Sequence, residues 1–175
     1  MTTEYEHFDG PDDGNDGISS TTWVAETFTT TSQHSVTSVK IYALRQSGYD
    51  PGTFTLSIRA TDGNGHPTGG DLTSGSQNAS GWSTSAQWHE QTVTEYMLSN
   101  GVKYAIVCRC SNANNAIYWR LTNAGGYSGG NRELSFNSGG SWSSYSQDEL
   151  FQVWGNPPVS PPTVTTQAAT GIATD

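Results

Sequence analysis

The side chains best equipped for chemistry in this chain are rings and carboxylates set among small polar residues. Three stretches place aromatics in what reads as loop: Gly81-Trp82-Ser83, Gly126-Tyr127-Ser128 and Ser141-Trp142-Ser143-Ser144-Tyr145. A ring flanked by Gly and Ser can lie exposed and stack on the face of a sugar, while Arg120, Asn131, Arg132 or Gln147 bond its hydroxyls. The ligand-binding set expected from sequence is therefore Trp82, Arg120, Tyr127, Asn131, Trp142 and Tyr145. A competing arrangement folds a ring such as Trp142 back as a lid on the core.

The carboxylates concentrate in Asp9-Gly10-Pro11-Asp12-Asp13-Gly14-Asn15-Asp16-Gly17, four acids and one Asn within nine residues. Hard oxygen donors on a glycine-bent loop are what calcium prefers. Asp12, Asp16 and Gly17 fit the first, fifth and sixth places of an EF-hand loop, but Gly14 and Trp23 occupy the third and twelfth, so this is not an EF-hand. One expectation is a structural Ca2+ held by Asp9, Asp12, Asp13 and Asp16 and completed by Asp148 or Glu149. The other is a solvated acidic leader.

Catalytic signatures are thin, and no catalytic residue is nominated. Gly126-Tyr127-Ser128-Gly129-Gly130 spells G-x-S-x-G, but a nucleophile elbow needs a helix after the serine, and residues 131–136 read as strand. Asp71, Glu90, Glu95 and Glu133 are too scattered to suggest the paired carboxylates of a glycosidase. His7, His34, His66 and His89 show no ligand spacing and read as surface or loop residues. Cys108 and Cys110 lie at i and i+2 of one strand, with Cα atoms about 6.6 Å apart, near the limit for a disulfide, and read as small buried hydrophobes.

The elements that must position these groups are strands. Residues 23–30, 36–44 and 53–60 alternate in polarity, the last with Phe54, Leu56, Ile58 and Ala60 on one face. Further runs lie at 87–93, 102–110, 116–121, 133–136 and 149–154, separated by turns rich in Gly, Asn and Ser. Asp62-Gly63-Asn64-Gly65 reads as a hairpin turn, and 74–86 as a longer loop. Eight or more strands in one domain predict an all-β fold, a two-sheet antiparallel β-sandwich of jelly-roll type. Trp23, Phe28, Phe54, Tyr104, Trp119, Phe136, Phe151 and Trp154 are its expected core rings.

The domain is expected to span 23–155, between an acidic leader at 1–22 and a Pro/Thr-rich linker at 156–175 leading to a further module. Only 33% of the 175 residues are hydrophobic, so the six Trp and eight Tyr must supply much of the buried area. Sixteen acids against seven Lys and Arg give a net charge of −9 without a basic cluster, which argues against nucleic acid and anionic membranes as partners. No apolar run is long enough to insert in a membrane as a helix.

The segments 23–29, 52–69, 103–107 and 117–120 together resemble the choice-of-anchor R type of β-sandwich domain, over residues 23–155. Such domains are similar to non-catalytic carbohydrate-binding modules and recur in modular microbial and viral surface proteins. The resemblance implies a surface module with no established chemistry. With the loop rings, it leads to the expectation of a non-enzymatic glycan- or polysaccharide-binding module, tethered in a multidomain parent and extracellular, cell-surface or virion-associated. The alternative expectation is a structural, adhesion or decoration domain that meets protein neighbours.

Overall fold

Apolar residues at every second position bury one face of a strand and leave the other to solvent, and this pattern recurs along most of the chain. The computed structural model describes residues 2–159. Among them there is no helix, hence none long and apolar enough to cross a membrane. The strands are β1 (Thr3–Phe8), β2 (Gly14–Ile18), β3 (Trp23–Thr29), β4 (His34–Arg45), β5 (Thr53–Thr61), β6 (Pro67–Asn78) and β7 (Gln87–Leu98). They continue with β8 (Lys103–Cys110), β9 (Ile117–Thr122), β10 (Arg132–Ser135), β11 (Ser143–Tyr145), β12 (Asp148–Glu149) and β13 (Phe151–Asn156).

These strands form two antiparallel sheets, as the alternation predicts. One has seven strands, in the order β1-β13-β4-β9-β12, with β2 paired to β9 and β7 to β4. The other has six, in the order β11-β10-β3-β8-β5-β6. Between them lies one apolar core. Phe54, Leu56 and Ile58 enter it from β5, Tyr104, Ile106 and Cys108 from β8, and Trp119, Phe151 and Val153 from the opposing sheet. Cys108 and Cys110 are free and buried, as small hydrophobes, and burial pushes both thiols up from the ordinary range.

Several expectations are corrected. The first 22 residues are no detached leader: β1 pairs along β13 and β2 along β9, with Ile18 opposite Ile117 in the core. Residues 74–78 belong to β6, whose pairing with β5 runs to Thr53 opposite Asn78, so the loop begins later. Phe136 is 65% exposed, and Trp23 and Trp154 are half-buried, so these three are not core rings. His34 and His89 are buried, stacked on Tyr5 and Trp82 with 3.8 Å between ring centroids. Residues 157–159 are exposed, and the rest of the expected linker tail lies outside the described residues.

Candidate functional site

Residues opposite one another in an antiparallel pair share a face, so the register of the six-stranded sheet defines its outer surface. Glu133 stands opposite Ala25, Ala25 opposite Val107 and Val107 opposite Ser57. A parallel row joins Thr27, Ala105 and Arg59. Ala25, Ala105 and Val107 are fully buried although they point away from the main core, because Trp23 and Trp142 pack over them. Small side chains in the middle of the face therefore leave room for two indoles. Arg109 and Arg59 lie over the Trp23 ring at 4.8 and 5.2 Å from its centroid, and Asp71 binds both, at 2.6 and 2.8 Å. Burial works to raise the Asp71 pKa, yet the two guanidinium hydrogen bonds outweigh it and hold the carboxyl below its usual range.

Two turns fold onto this face. The β5–β6 hairpin closes with Asp62 N–H donating to His66 O at 2.9 Å, and Asp62 Oδ1 accepts the amides of Asn64 and His66 at 2.8 and 3.0 Å. Those amides hold the Asp62 carboxyl below the ordinary range. His66 Nδ1 then lies 2.8 Å from Glu133 Oε2 on β10, which is separated from β5 by β3 and β8. The hairpin end thus arches over the small residues of those two strands. The Glu133 side chain is fully buried and also accepts the Ser144 hydroxyl, so it fixes the imidazole, whose own side chain is 31% exposed. From the other side comes the turn after β10, where Ser138 and Gly139 take positive φ of 58° and 82°. A Cβ at Gly139 would stand 2.7 Å from the Trp23 ring, so this close approach requires glycine.

Between the two turns opens a cleft of about 390 Å³, lined among others by Arg59, Asp62, His66, Thr68, Ser141 and Trp142. That volume lies within the range of small-molecule sites, about 300–1,000 Å³. An indole, a guanidinium, an imidazole, a carboxylate and hydroxyls surround the space. Trp142 Nε1 is buried and without an acceptor among the described residues.

The residues expected to bind ligand are dispersed. Trp142 alone reaches the cleft. Trp82 is a core ring, 8% exposed and wedged between Phe54 and His89 at 4.9 and 3.8 Å, so it forms no surface platform. Tyr127 packs on the core against Phe151, and burial pushes its hydroxyl pKa up. Arg120 is taken by Asp12 at 2.5 Å, and the Asn131 backbone ties the turn before β10 to Thr27. Arg132 is buried against Asp16 beneath the exposed ring of Tyr145, 4.7 Å from its centroid. Residues that sequence reasoning passed over, Arg59, Asp62, His66 and Ser141, supply the polar wall. Asp62 was legible as a turn residue, but no local signal brings the turn to Trp142.

The acidic stretch is likewise dispersed. Asp12 pairs with Arg120, Asp13 Oδ1 accepts the Asn123 amide at 2.7 Å, and Asp16 grips Arg132 with both oxygens, while Asp9 is exposed. Glu149 is fully buried beside Glu26, which accepts its amide at 2.9 Å, and Arg132 approaches it to 3.7 Å. Among the described residues no three His, Cys, Asp or Glu are arranged to hold a metal ion. Asp12, Asp13 and Asp16 are instead committed to guanidinium and amide partners.

A second group of rings lies on the outer face of the seven-stranded sheet. Tyr42 opposes Trp88 with centroids 5.3 Å apart, and Lys40 sits 4.5 Å over Trp154. No protein-family model matches this chain, and no curated protein matches it in sequence.

Proposed function

We propose that this β-sandwich is a non-catalytic glycan-recognition module of a larger extracellular, cell-surface or virion-associated protein, with its ligand seated between the two turns on the six-stranded sheet. The observation that carries the reading is the recess in which Trp142 stands beside Arg59, Asp62, His66 and Ser141. Sugars present apolar C–H faces and a fringe of hydroxyls, and an aromatic ring among mixed donors and acceptors complements both. The site is preformed: Asp71 and Glu133 hold Arg59 and His66 before any ligand arrives, which lowers the ordering cost of binding. A single carboxylate, Asp62, lines the recess, whereas glycosidic hydrolysis generally uses two. Modest affinity at one such module would be raised by repetition in a multidomain parent. The resemblance to choice-of-anchor R domains points the same way.

A glycan-array screen of the purified domain tests this. A saturable hit is expected, weakened about tenfold or more by Trp142→Ala, the order expected for losing one aromatic contact with its neighbours. Trp88→Ala, on the opposite face, should leave the hit unchanged. Loss with Trp88→Ala instead would move the site to the seven-stranded sheet. A blank array with folded protein would favour a structural or decoration domain that meets protein neighbours.

A further inference from the structure

We propose that the cleft selects a sugar bearing an acidic group, a uronate carboxylate or a sulfate ester, and that Arg59 and His66 clasp that group together. The inference rests on the glycan reading of the same cleft. Its first support is the distribution of charge. The protein has a net charge of −9, with only seven Lys and Arg. Arg120 and Arg132 are neutralised by Asp12 and Asp16, Arg45 donates to the carbonyls of Trp82 and Tyr49, and Lys40 covers Trp154. The remaining three, Arg59, Arg109 and Lys103, lie on or beside the outer face of the six-stranded sheet. Arg59 and Arg109 share the single carboxylate of Asp71, so this face gathers three of the seven cations around it.

The second support is the pair of donors that the fold leaves free. Arg59 commits Nε to Asp71 and its plane to Trp23, and its Nη atoms have no protein acceptor among the described residues. Nη1 lies 3.6 Å from the position a Gly139 Cβ would take, at the wall of the recess. A guanidinium anchored in this way is preorganised for an oxyanion. His66 is anchored through Nδ1, and no protein group bonds its Nε2 among the described residues. With Nδ1 donating to Glu133, a neutral ring offers a bare lone pair at Nε2, which accepts from a hydroxyl and repels an oxyanion. A protonated ring offers Nε2–H, which an oxyanion accepts.

An acidic group is therefore clasped through Nε2–H, the form in which the ring donates at both nitrogens. The charged groups around the imidazole are Glu133 from β10, Asp62 from its own turn, Arg59 from β5 and Lys103 from β8, whose Nζ lies 3.8 Å from a Cβ placed at Gly65. Asp62 keeps its charge in the recess lining, with one oxygen turned into its own loop by two amides, so the clasp has to outweigh its repulsion.

The test is calorimetric titration of the full chain with tetragalacturonate, with galactotetraose as its carboxyl-reduced twin, and with a sulfated tetrasaccharide. An acidic probe should bind about tenfold or more tighter than the neutral one, as one charge-assisted clasp allows. The uronate and the sulfate separate the two sources of the oxyanion. Arg59→Gln should erase the preference and Arg59→Lys should keep part of it, with thermal melts confirming that both fold. His66→Gln should weaken binding of the acidic probes more than that of the neutral one. Equal affinity for acidic and neutral probes, with Trp142→Ala still weakening both, would overturn the clasp and leave the glycan reading standing. No binding of any sugar, here or on the array, would overturn both.

Discussion

Trp82 and Trp142 sit in nearly the same local sequence, each flanked by Gly or Ser, and the fold sends them to opposite sides of one sheet. Trp82 fills the core between Phe54 and His89, and Trp142 covers Ala25, Ala105 and Val107 on the outside. Their replacements should therefore fail in different ways. Trp82→Ala removes a buried ring and should destabilise the domain by about 3–5 kcal/mol in urea denaturation. A loss below 1 kcal/mol would mean that the ring is not packed as described. His66 shows the same dependence on neighbours, since its chemistry follows from a carboxylate 67 residues away.

At the scale of elements, the informative strands are those with poor strand composition. β2 reads Gly-Asn-Asp-Gly-Ile and β6 is rich in Gly, Ser and Thr, yet β2 pairs with β9 throughout its length and β6 with β5 on both sides of a register shift at residues 69–72. Tertiary contacts hold them. Ile18 anchors β2 in the core and Asp16 ties it to Arg132, while Gly75 of β6 passes so near Thr92 that a Cβ would stand 1.9 Å from its carbonyl oxygen. β1 is clamped in turn by Glu6 and by Tyr5 stacked on His34. Removing residues 2–18 should consequently lower the melting temperature steeply or prevent folding. An unchanged melt would restore the picture of a detached acidic leader.

Across the whole molecule, the two sheets enclose more carboxylates than cations. Glu6, Glu26 and Glu149 are buried, and Glu26 and Glu149 retain oxygens without partners among the described residues. Desolvation lifts Glu6 to about 7, against the pull of the Thr31 amide, and lifts Glu26 and Glu149 well above the usual carboxylate range. In each case the folded state holds a proton that the unfolded chain releases near pH 4.5. Stability must fall as pH rises through that window. For Glu6 the window closes near pH 7, and its full effect is about 3 kcal/mol. His34 and His89, kept neutral by burial, oppose this trend below their ordinary range. The Glu6 share is isolated by comparing the protein with Glu6→Gln in chemical denaturation from pH 4 to pH 8. The variant should gain relative stability as pH rises, and a difference independent of pH would refute the linkage.

What the sequence determined by itself was the class of fold and the type of side chain available. Period-two alternation at β3, β4, β5 and β8, with Asp62-Gly63-Asn64-Gly65 as a hairpin turn, sufficed for an all-β sandwich, because strand and turn preferences are local. The glycine-flanked aromatics were visible too, as was the acidity of the N-terminal stretch. Only the tertiary structure decided which rings are free, because exposure depends on what packs above a residue. It also converted the acidic stretch from a candidate calcium loop into partners for Arg120, Asn123 and Arg132, more than 100 residues away. The cleft belongs wholly to this second category. It exists because Ala25, Ala105 and Val107 are small on one face, which lets two distant turns meet above them and set Arg59, His66 and Trp142 around one space.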